Sequence, residues 1–211
     1  MDFIIRKEEE QDYRIVEEMT KEAFWNLNIP GCYEHYLVHK LRNSKDFIPE
    51  LDCVAVKDGK IIGHIMFTKA VVIDANERSH EVLTFGPISV LPTYQKQGIG
   101  KALIDHSKQE ALKLGYNAFI IYGSPDYYMP LGFKHAKDFH ISNGEGLYPA
   151  AHLALELTDG ALKDVSGKYM ESKDFAIDEK LADEFDQTFP YKEKLVTDTQ
   201  ARFAEICLKF L

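Results

Sequence analysis

Positive charge is scarce in this 211-residue chain: 25 Lys and Arg stand against 34 Asp and Glu, a formal net charge of −9. Nucleic-acid binding relies on basic surface, so that class is excluded as a general function. The same balance tolerates a cationic amine as a partner, although net charge does not say where the acidic groups lie. Cysteine is equally sparse, with only Cys32, Cys53 and Cys207. An odd number at wide spacing builds neither a disulfide framework nor a zinc cluster, so no metal and a reducing, cytoplasmic setting are expected. Each reads as a bystander thiol rather than a nucleophile. No apolar run approaches the ~20 residues of a membrane span. The start Met-Asp-Phe-Ile-Ile-Arg-Lys-Glu lacks the basic and apolar stretches of a signal peptide. Neither a membrane nor export is therefore expected. Repeats, linkers and low-complexity segments are absent.

What is present suits one domain with an appendage. Hydrophobic residues make up 45% of the chain and charged residues 28%, ordinary values for a globular protein with a substantial core. Phe3 to Arg6 reads as a first strand, and Glu10 to Leu27 as a helix with Ile15, Met19, Ala23 and Phe24 at core spacing. Pro30-Gly31 breaks that helix, and a second covers Tyr33 to Arg42. Leu51 to Lys57 and Lys60 to Ala70 form a hairpin around Asp58-Gly59, and Val71 to Val90 continues into a central strand. Asn117 to Gly123 is an apolar run bounded by turn residues, which suits a buried parallel strand. His152 to Leu157 and Lys168 to Ser172 read as closing strands. Thr197 and Gln200 form a capping box before Phe203, Ile206, Cys207, Phe210 and Leu211, a face expected to dock on the parent domain or a second subunit.

One segment carries the functional signal. Ile88, Val90 and Leu91 end a strand at Pro92, and Gln95-Lys96-Gln97-Gly98-Ile99-Gly100 then turns into a helix. Ile99, Leu103, Ile104, Ala111 and Leu114 share that helix's apolar face, and Gly115 stops it. A helix that starts at Gly-x-Gly offers unpaired N–H groups and the positive end of its dipole, which together make an anion site. A Walker loop is excluded, because Ala102 follows Gly100-Lys101 and Gln95 stands where the first glycine belongs. A dinucleotide fingerprint is excluded because its third glycine is Leu103. Gln-x-x-Gly-x-Gly after a strand resembles the coenzyme A motif of the GCN5-related N-acetyltransferase (GNAT) superfamily. Downstream, Tyr128-Met129-Pro130-Leu131-Gly132-Phe133 resembles that family's second signature, a Tyr on a short helix before a Gly-Phe pair. Gly146 to Leu157 is similar to a bacterial branch of the family.

The resemblance implies an α/β protein with the GNAT acyl-CoA N-acyltransferase fold, a central mixed β-sheet flanked by helices. It assigns residues 3–158 to the acetyltransferase domain and leaves 159–211 as a C-terminal strand and helix extension, packed on the same domain or on a dimer partner. It implies acetyl-CoA as co-substrate, with Ile88, Ser89 and Val90 along the pantetheine arm and the Val90 N–H on the thioester carbonyl. The amides of Gln95, Lys96, Gln97, Gly98, Ile99, Gly100 and Lys101 would hold the pyrophosphate, with Ser124 as a further coenzyme contact. Tyr128 is the implied general acid for the departing thiolate, with Tyr127 as the competing assignment. A lysine-type amine, with pKa near ~10.4, must lose a proton before it attacks. Relatives carry a carboxylate on the central strand, but Thr84-Phe85-Gly86-Pro87 holds none. A water relay, Asp126 or His64 then remains as the base. Trp25, Tyr33, His35 and Tyr36 fall where relatives wall the acceptor pocket, and they read equally as acceptor contacts or as plain helix-packing groups. Two classes stay open: an N-acetyltransferase for a small-molecule or peptide amine, and an acyl-CoA-binding sensor without turnover.

Overall fold

The computed structural model describes residues 2–211 as a mixed α/β fold built on one twisted sheet. The chain runs β1 (Ile4–Lys7), α1 (Tyr13–Phe24), α2 (Glu34–Leu41), β2 (Cys53–Lys57), β3 (Lys60–Ile73) and β4 (Ser79–Val90). It continues through α3 (Ile99–Lys113), β5 (Ala118–Tyr122), α4 (Pro125–Tyr128), β6 (Lys134–His135), β7 (Ile141–Ser142), β8 (His152–Glu156) and β9 (Gly167–Met170). Two helices close it, α5 (Glu179–Asp186) and α6 (Asp198–Leu208). Strand order is β1-β2-β3-β4-β5-β8-β6, and β9 pairs with both β3 and β7.

Period-2 alternation divides the side chains of the sheet between two cores. One face sends Ile65, Phe67, Leu83, Phe85, Phe119 and Ile121 against Leu103, Ile104 and Ala111 of α3. Phe67, Phe85 and Phe119 meet with centroids 4.9 to 6.0 Å apart, the spacing aromatic pairs favour. The other face is covered in two parts. Val16 and Met19 of α1 with Val38 and Leu41 of α2 cover Val54 and Met66. Ile141 and Tyr169 cover Ala70, Val72, Val82 and Ile120. The Tyr169 hydroxyl reaches the Ile120 carbonyl at 3.3 Å, so the sheet curls until β9 faces β5.

Four local expectations need correction. The span Val71 to Val90 is not one strand: β3 runs to Ile73, and the chain reverses before β4 starts at Ser79. Asp74 makes that turn, its Oδ1 accepting from the N–H groups of Asn76 (2.8 Å) and Arg78 (3.0 Å). The first helix is α-helical only from Tyr13 to Phe24, after a 3-10 turn over Glu10–Asp12. Its core position is Val16, not Ile15, which is 50% exposed. Leu114 closes α3 but is exposed, because the helix has turned away from the sheet by then.

Met19 is 3% exposed and Ile15 is 50% exposed on the same helix. Met19→Ala should cost about 2–5 kcal/mol of stability and Ile15→Ala no more than about 0.5 kcal/mol. Denaturant midpoints for the two variants check this register.

Candidate functional site

The parallel strands β4 and β5 pair only at Leu83 and Phe119, and beyond that point they separate. β5 stays in the sheet through β8, while β4 follows β3, so a wedge opens between their C-terminal ends. Two residues of β4, Gly86 and Pro87, stand opposite Met66 alone, because Ile65 faces Ile88 and Phe67 faces Phe85. This bulge re-aims the last turn of the strand. The Leu91 N–H bonds back to the Ile62 carbonyl. By the alternation of an antiparallel ladder, Ser89 also faces β3, while the N–H groups of Ile88 and Val90 face the wedge. Gln95 Nε2 donates to the Val90 carbonyl at 3.1 Å and ties the following turn to this edge.

The turn is built for exposed amides. Gly98 takes φ +84°, and Lys96 takes φ +59°, a conformation a lysine rarely adopts. Alternating left- and right-handed residues point successive N–H groups toward one concavity. From Lys96 to Lys101 no backbone N–H has an acceptor among the described residues; the first helical bond of α3 is Ala102 N–H to the Gly98 carbonyl. The two glycines serve different ends. A Cβ on Gly98 would meet no atom within 4 Å, so its left-handed φ is what requires glycine, and the space beside it is open. A Cβ on Gly100 would strike the Tyr127 hydroxyl.

The two tyrosines of α4 are thereby separated. Tyr127 is 46% exposed and aims its phenol at Gly100, at the head of α3. Tyr128 is half-buried, its ring packed over Gly123 and against Phe85 (5.9 Å) and Phe133 (5.4 Å). Burial raises its phenol well above the ordinary value of about 10. Tyr122, one residue before Gly123, faces the opposite side of the wedge, where it stacks on His152 at 4.8 Å. Tyr122, Tyr169, Glu171, Ser172, Lys173 and Phe175 line a cleft of about 370 Å³ there, and Phe175 borders Gly86.

Several expected site residues lie elsewhere. Ser89 is buried, with its hydroxyl 3.0 Å from that of Thr20, so its side chain is turned from the wedge. Lys101 pairs with Asp105 on the outer face of α3, leaving only its N–H at the turn. Ser124 precedes α4 without capping it. His64 is fully buried, with Nε2 2.7 Å from Asp52 Oδ1 and Nδ1 without a partner. Desolvation pushes it down to about 4, and no base works from there. The ligand atoms of Glu8, Asp52 and His64 lie within 4.8 Å of one another. The Arg42 guanidinium, 2.7 Å from Glu8 and 2.8 Å from Glu17, already supplies the cation for these carboxylates. Asp126 is exposed and pairs with Arg202 of α6 at 3.3 Å.

The expected acceptor wall holds the C-terminal segment instead. His35 Nε2 and Lys21 Nζ lie 3.0 and 2.6 Å from the same Asp186 oxygen. Trp25 Nε1 donates to the Glu193 carbonyl, and Tyr36 packs on Phe185. Tyr33 sits beside Glu179 and Lys194. Farther on, the Gln200 side chain accepts from the Thr197 N–H at 3.3 Å as the capping box requires. α6 leaves its apolar face largely uncovered by this chain, with Leu208 76% exposed, while Phe210 just after it bridges to Pro149 of the parent domain. Among the described residues, no helix is long and apolar enough to cross a membrane.

Gly98→Val adds no clash but strains a left-handed position, a cost of about 1–2 kcal/mol. The variant should fold with a lowered melting temperature and lose most affinity for a pyrophosphate anion by calorimetry. Wild-type affinity in the folded variant would contradict the anion role of the turn.

The model of the acetyltransferase (GNAT) family matches residues 16–133. The chain is 29% identical over 116 residues to the uncharacterized N-acetyltransferase YjhQ of Escherichia coli, a match covering 55% of this chain. It spans about 60% of that relative's length. Among solved structures, the GNAT family N-acetyltransferase YhbS of Escherichia coli, in complex with CoA, superposes with a TM-score of 0.72 at 24% identity. That match covers 83% of this chain and 92% of YhbS. A GNAT family acetyltransferase from Brucella melitensis, in complex with acetyl-CoA, superposes with a TM-score of 0.65 at 26% identity. It covers 82% of this chain and 98% of that one.

Proposed function

The chain belongs to the acetyltransferase (GNAT) family, and on that premise we propose that it transfers an acetyl group from acetyl-CoA to a primary amine by direct attack in a ternary complex. The single observation that carries this reading is the wedge. Its β4 edge offers the Val90 N–H, its floor leads to the unpaired amides of residues 96–101, and its two sides are a cleft and a buried phenol. A thioester needs all four.

The pyrophosphate of the donor would rest on the amides at the head of α3, where dipole and N–H groups favour an anion. The pantetheine arm would pair with the outward groups of Ile88 and Val90 in place of the strand that β5 no longer provides. With the Val90 N–H aimed at the thioester oxygen, negative charge developing there meets a fixed donor. The amine enters from the cleft side. Its lone pair forms the C–N bond as the C–S bond breaks and the electron pair leaves on sulfur.

Tyr128 is the group assigned to the thiolate. Its phenol, held above its ordinary pKa, gives a proton to sulfur only as another arrives to replace it. The second proton of the attacking nitrogen is that replacement, so Tyr128 relays rather than stores. Direct transfer is supported by the two buried thiols. Cys32 and Cys53 are buried, burial pushing Cys53 up to about 12 and Cys32 higher still. Neither is a thiolate that accepts an acetyl group at neutral pH.

Tyr128→Phe should lower kcat about 10²–10⁴-fold while leaving acetyl-CoA affinity unchanged, and Tyr127→Phe should have little effect on kcat. Thiol release from acetyl-CoA with a panel of amines, beside calorimetry, checks both. An undiminished rate in Tyr128→Phe would remove it from the mechanism.

A further inference from the structure

We propose that Glu171 is the carboxylate that receives the ammonium of the acceptor and takes its first proton, and that the acceptor is a monoamine on an apolar or aromatic body. This rests on the acetyltransferase reading above. It starts from what lines the cleft on the β5–β9 side of the wedge. Tyr122, Tyr169, Met170 and Phe175 give it a mostly hydrocarbon and aromatic surface, and Glu171 is its one carboxylate.

Glu171 differs from the paired acids of the core and helices. Asp12, Glu8, Glu17, Asp52, Asp105 and Asp186 each hold a cation or a histidine within 3.2 Å. Glu171 has no hydrogen-bond or ion-pair partner among the described residues. It is open to solvent yet ringed by protein, the situation of a group at a cleft wall, and this desolvation alone pushes its carboxyl up to about 7. An ammonium placed beside it supplies the missing partner, and a carboxyl near neutrality is matched to proton transfer.

The position of Glu171 is set by long-range pairing. β9 aligns Met170 with Val71 of β3, and the chain leaves that register at Glu171 toward Phe175, which borders Gly86 of the β4 bulge. Glu171 is close enough to raise the phenols of both Tyr122 and Tyr169. Tyr122 adjoins Gly123, which carries the ring of Tyr128 on its other side. On the proposed arrangement, Glu171 on the cleft side and Tyr128 beside Gly123 would serve as base and acid to the thioester.

The proton account closes. The acceptor R–NH3+ gives one proton to the Glu171 carboxylate, and the free amine attacks the acetyl carbon. The C–S bond breaks, and the nitrogen's second proton reaches sulfur through Tyr128. Glu171 then returns its proton to solvent, so acetyl-CoA and R–NH3+ yield R–NH–acetyl, the free thiol and one H+. The substrate class follows from charge. Lys173 is the one cation lining the cleft, so a second or third ammonium there would meet a like charge and no further carboxylate. Polyamines and aminoglycosides are thereby disfavoured against a phenylethylamine-like body packed on Tyr122 and Phe175.

The groups facing Glu171 do not mimic it. Tyr122 of β5 is pushed up to about 12, Tyr169 of β9 lies well above its ordinary value, and His152 of β8, behind Tyr122, is pushed down to about 4. Glu145 acts on Tyr122 from the neighbouring loop and Lys173 follows on the next turn, so Glu145→Gln is the control. The experiment is the pH profile of kcat/KM for thiol release from acetyl-CoA, with 2-phenylethylamine, spermidine and kanamycin as acceptors. The expected result is a fall on the acid side with a midpoint near 7, kept in Glu145→Gln. In Glu171→Gln that limb is lost, kcat/KM drops about 10²-fold or more, and acetyl-CoA affinity is unchanged; Glu171→Asp restores part of the rate. Turnover in Glu171→Gln with the limb intact would overturn the role of Glu171 alone. Preference for spermidine or kanamycin would overturn the substrate class. Wild-type protein that binds acetyl-CoA and acetylates no amine would overturn the transfer reading beneath both.

Discussion

Everything functional in this fold depends on two parallel strands that stop pairing. A strand in mid-sheet has donors and acceptors on both edges, and those groups must find partners. β4 meets β5 at Leu83 and Phe119 only, so from Thr84 onward one of its edges is left open. The bulge at Gly86 and Pro87 and the tether from Gln95 to the Val90 carbonyl hold this edge open rather than letting it collapse on β5. The aromatic cluster of Phe67, Phe85 and Phe119 lies just below the fork and keeps the strands splayed from a rigid base. A gap of this kind, leading to the unpaired amides of α3, accepts a ligand that is part peptide-like and part anionic.

The C-terminal quarter completes the site by a different route. β9 adds to the tip of β3, and the chain beyond it lines a cleft with Tyr122, Phe175 bordering Gly86 of β4. The next stretch covers the α1–α2 connection. The side chain of Asn26 accepts from the N–H groups of Gly31 and Leu195, and its carbonyl takes the Thr197 hydroxyl. Asp186 gathers Lys21 and His35 below Phe189. Residues that would wall an open pocket therefore hold this strap, and the open volume lies beside β5 and β9.

The glycine turn, α3 and the tyrosine signature were legible because their signals are local: a strand that ends at proline, a change to helical spacing, a Gly-Phe pair at fixed distance. The Asp74 turn was not, since it contains no glycine and its reversal comes from one carboxylate accepting two backbone N–H groups. Ile15 and Val16 are adjacent apolar residues that fit helical spacing almost equally, and only the approach of the sheet decides which is buried. His64 read as a strand histidine of open role because nothing near it in sequence announces Asp52 and Arg42. Glu171 went unread for the same reason: between Met170 and Ser172 it has no motif, and its neighbours Tyr122 and Gly86 lie far away in the chain. Local chemistry carries the glycine turn and the tyrosine signature, while the proposed acceptor cleft is a product of tertiary pairing.

The central claim is that acetyl-CoA lies along the free edge of β4 with its pyrophosphate on the head of α3. Titration of 15N-labelled protein with acetyl-CoA, followed amide by amide, tests it most directly. The largest shifts are expected at Ile88, Val90 and the amides from Lys96 to Lys101, with Tyr122 and Gly123 following as the wedge fills. Saturable shifts centred elsewhere, with those amides unmoved, would contradict it.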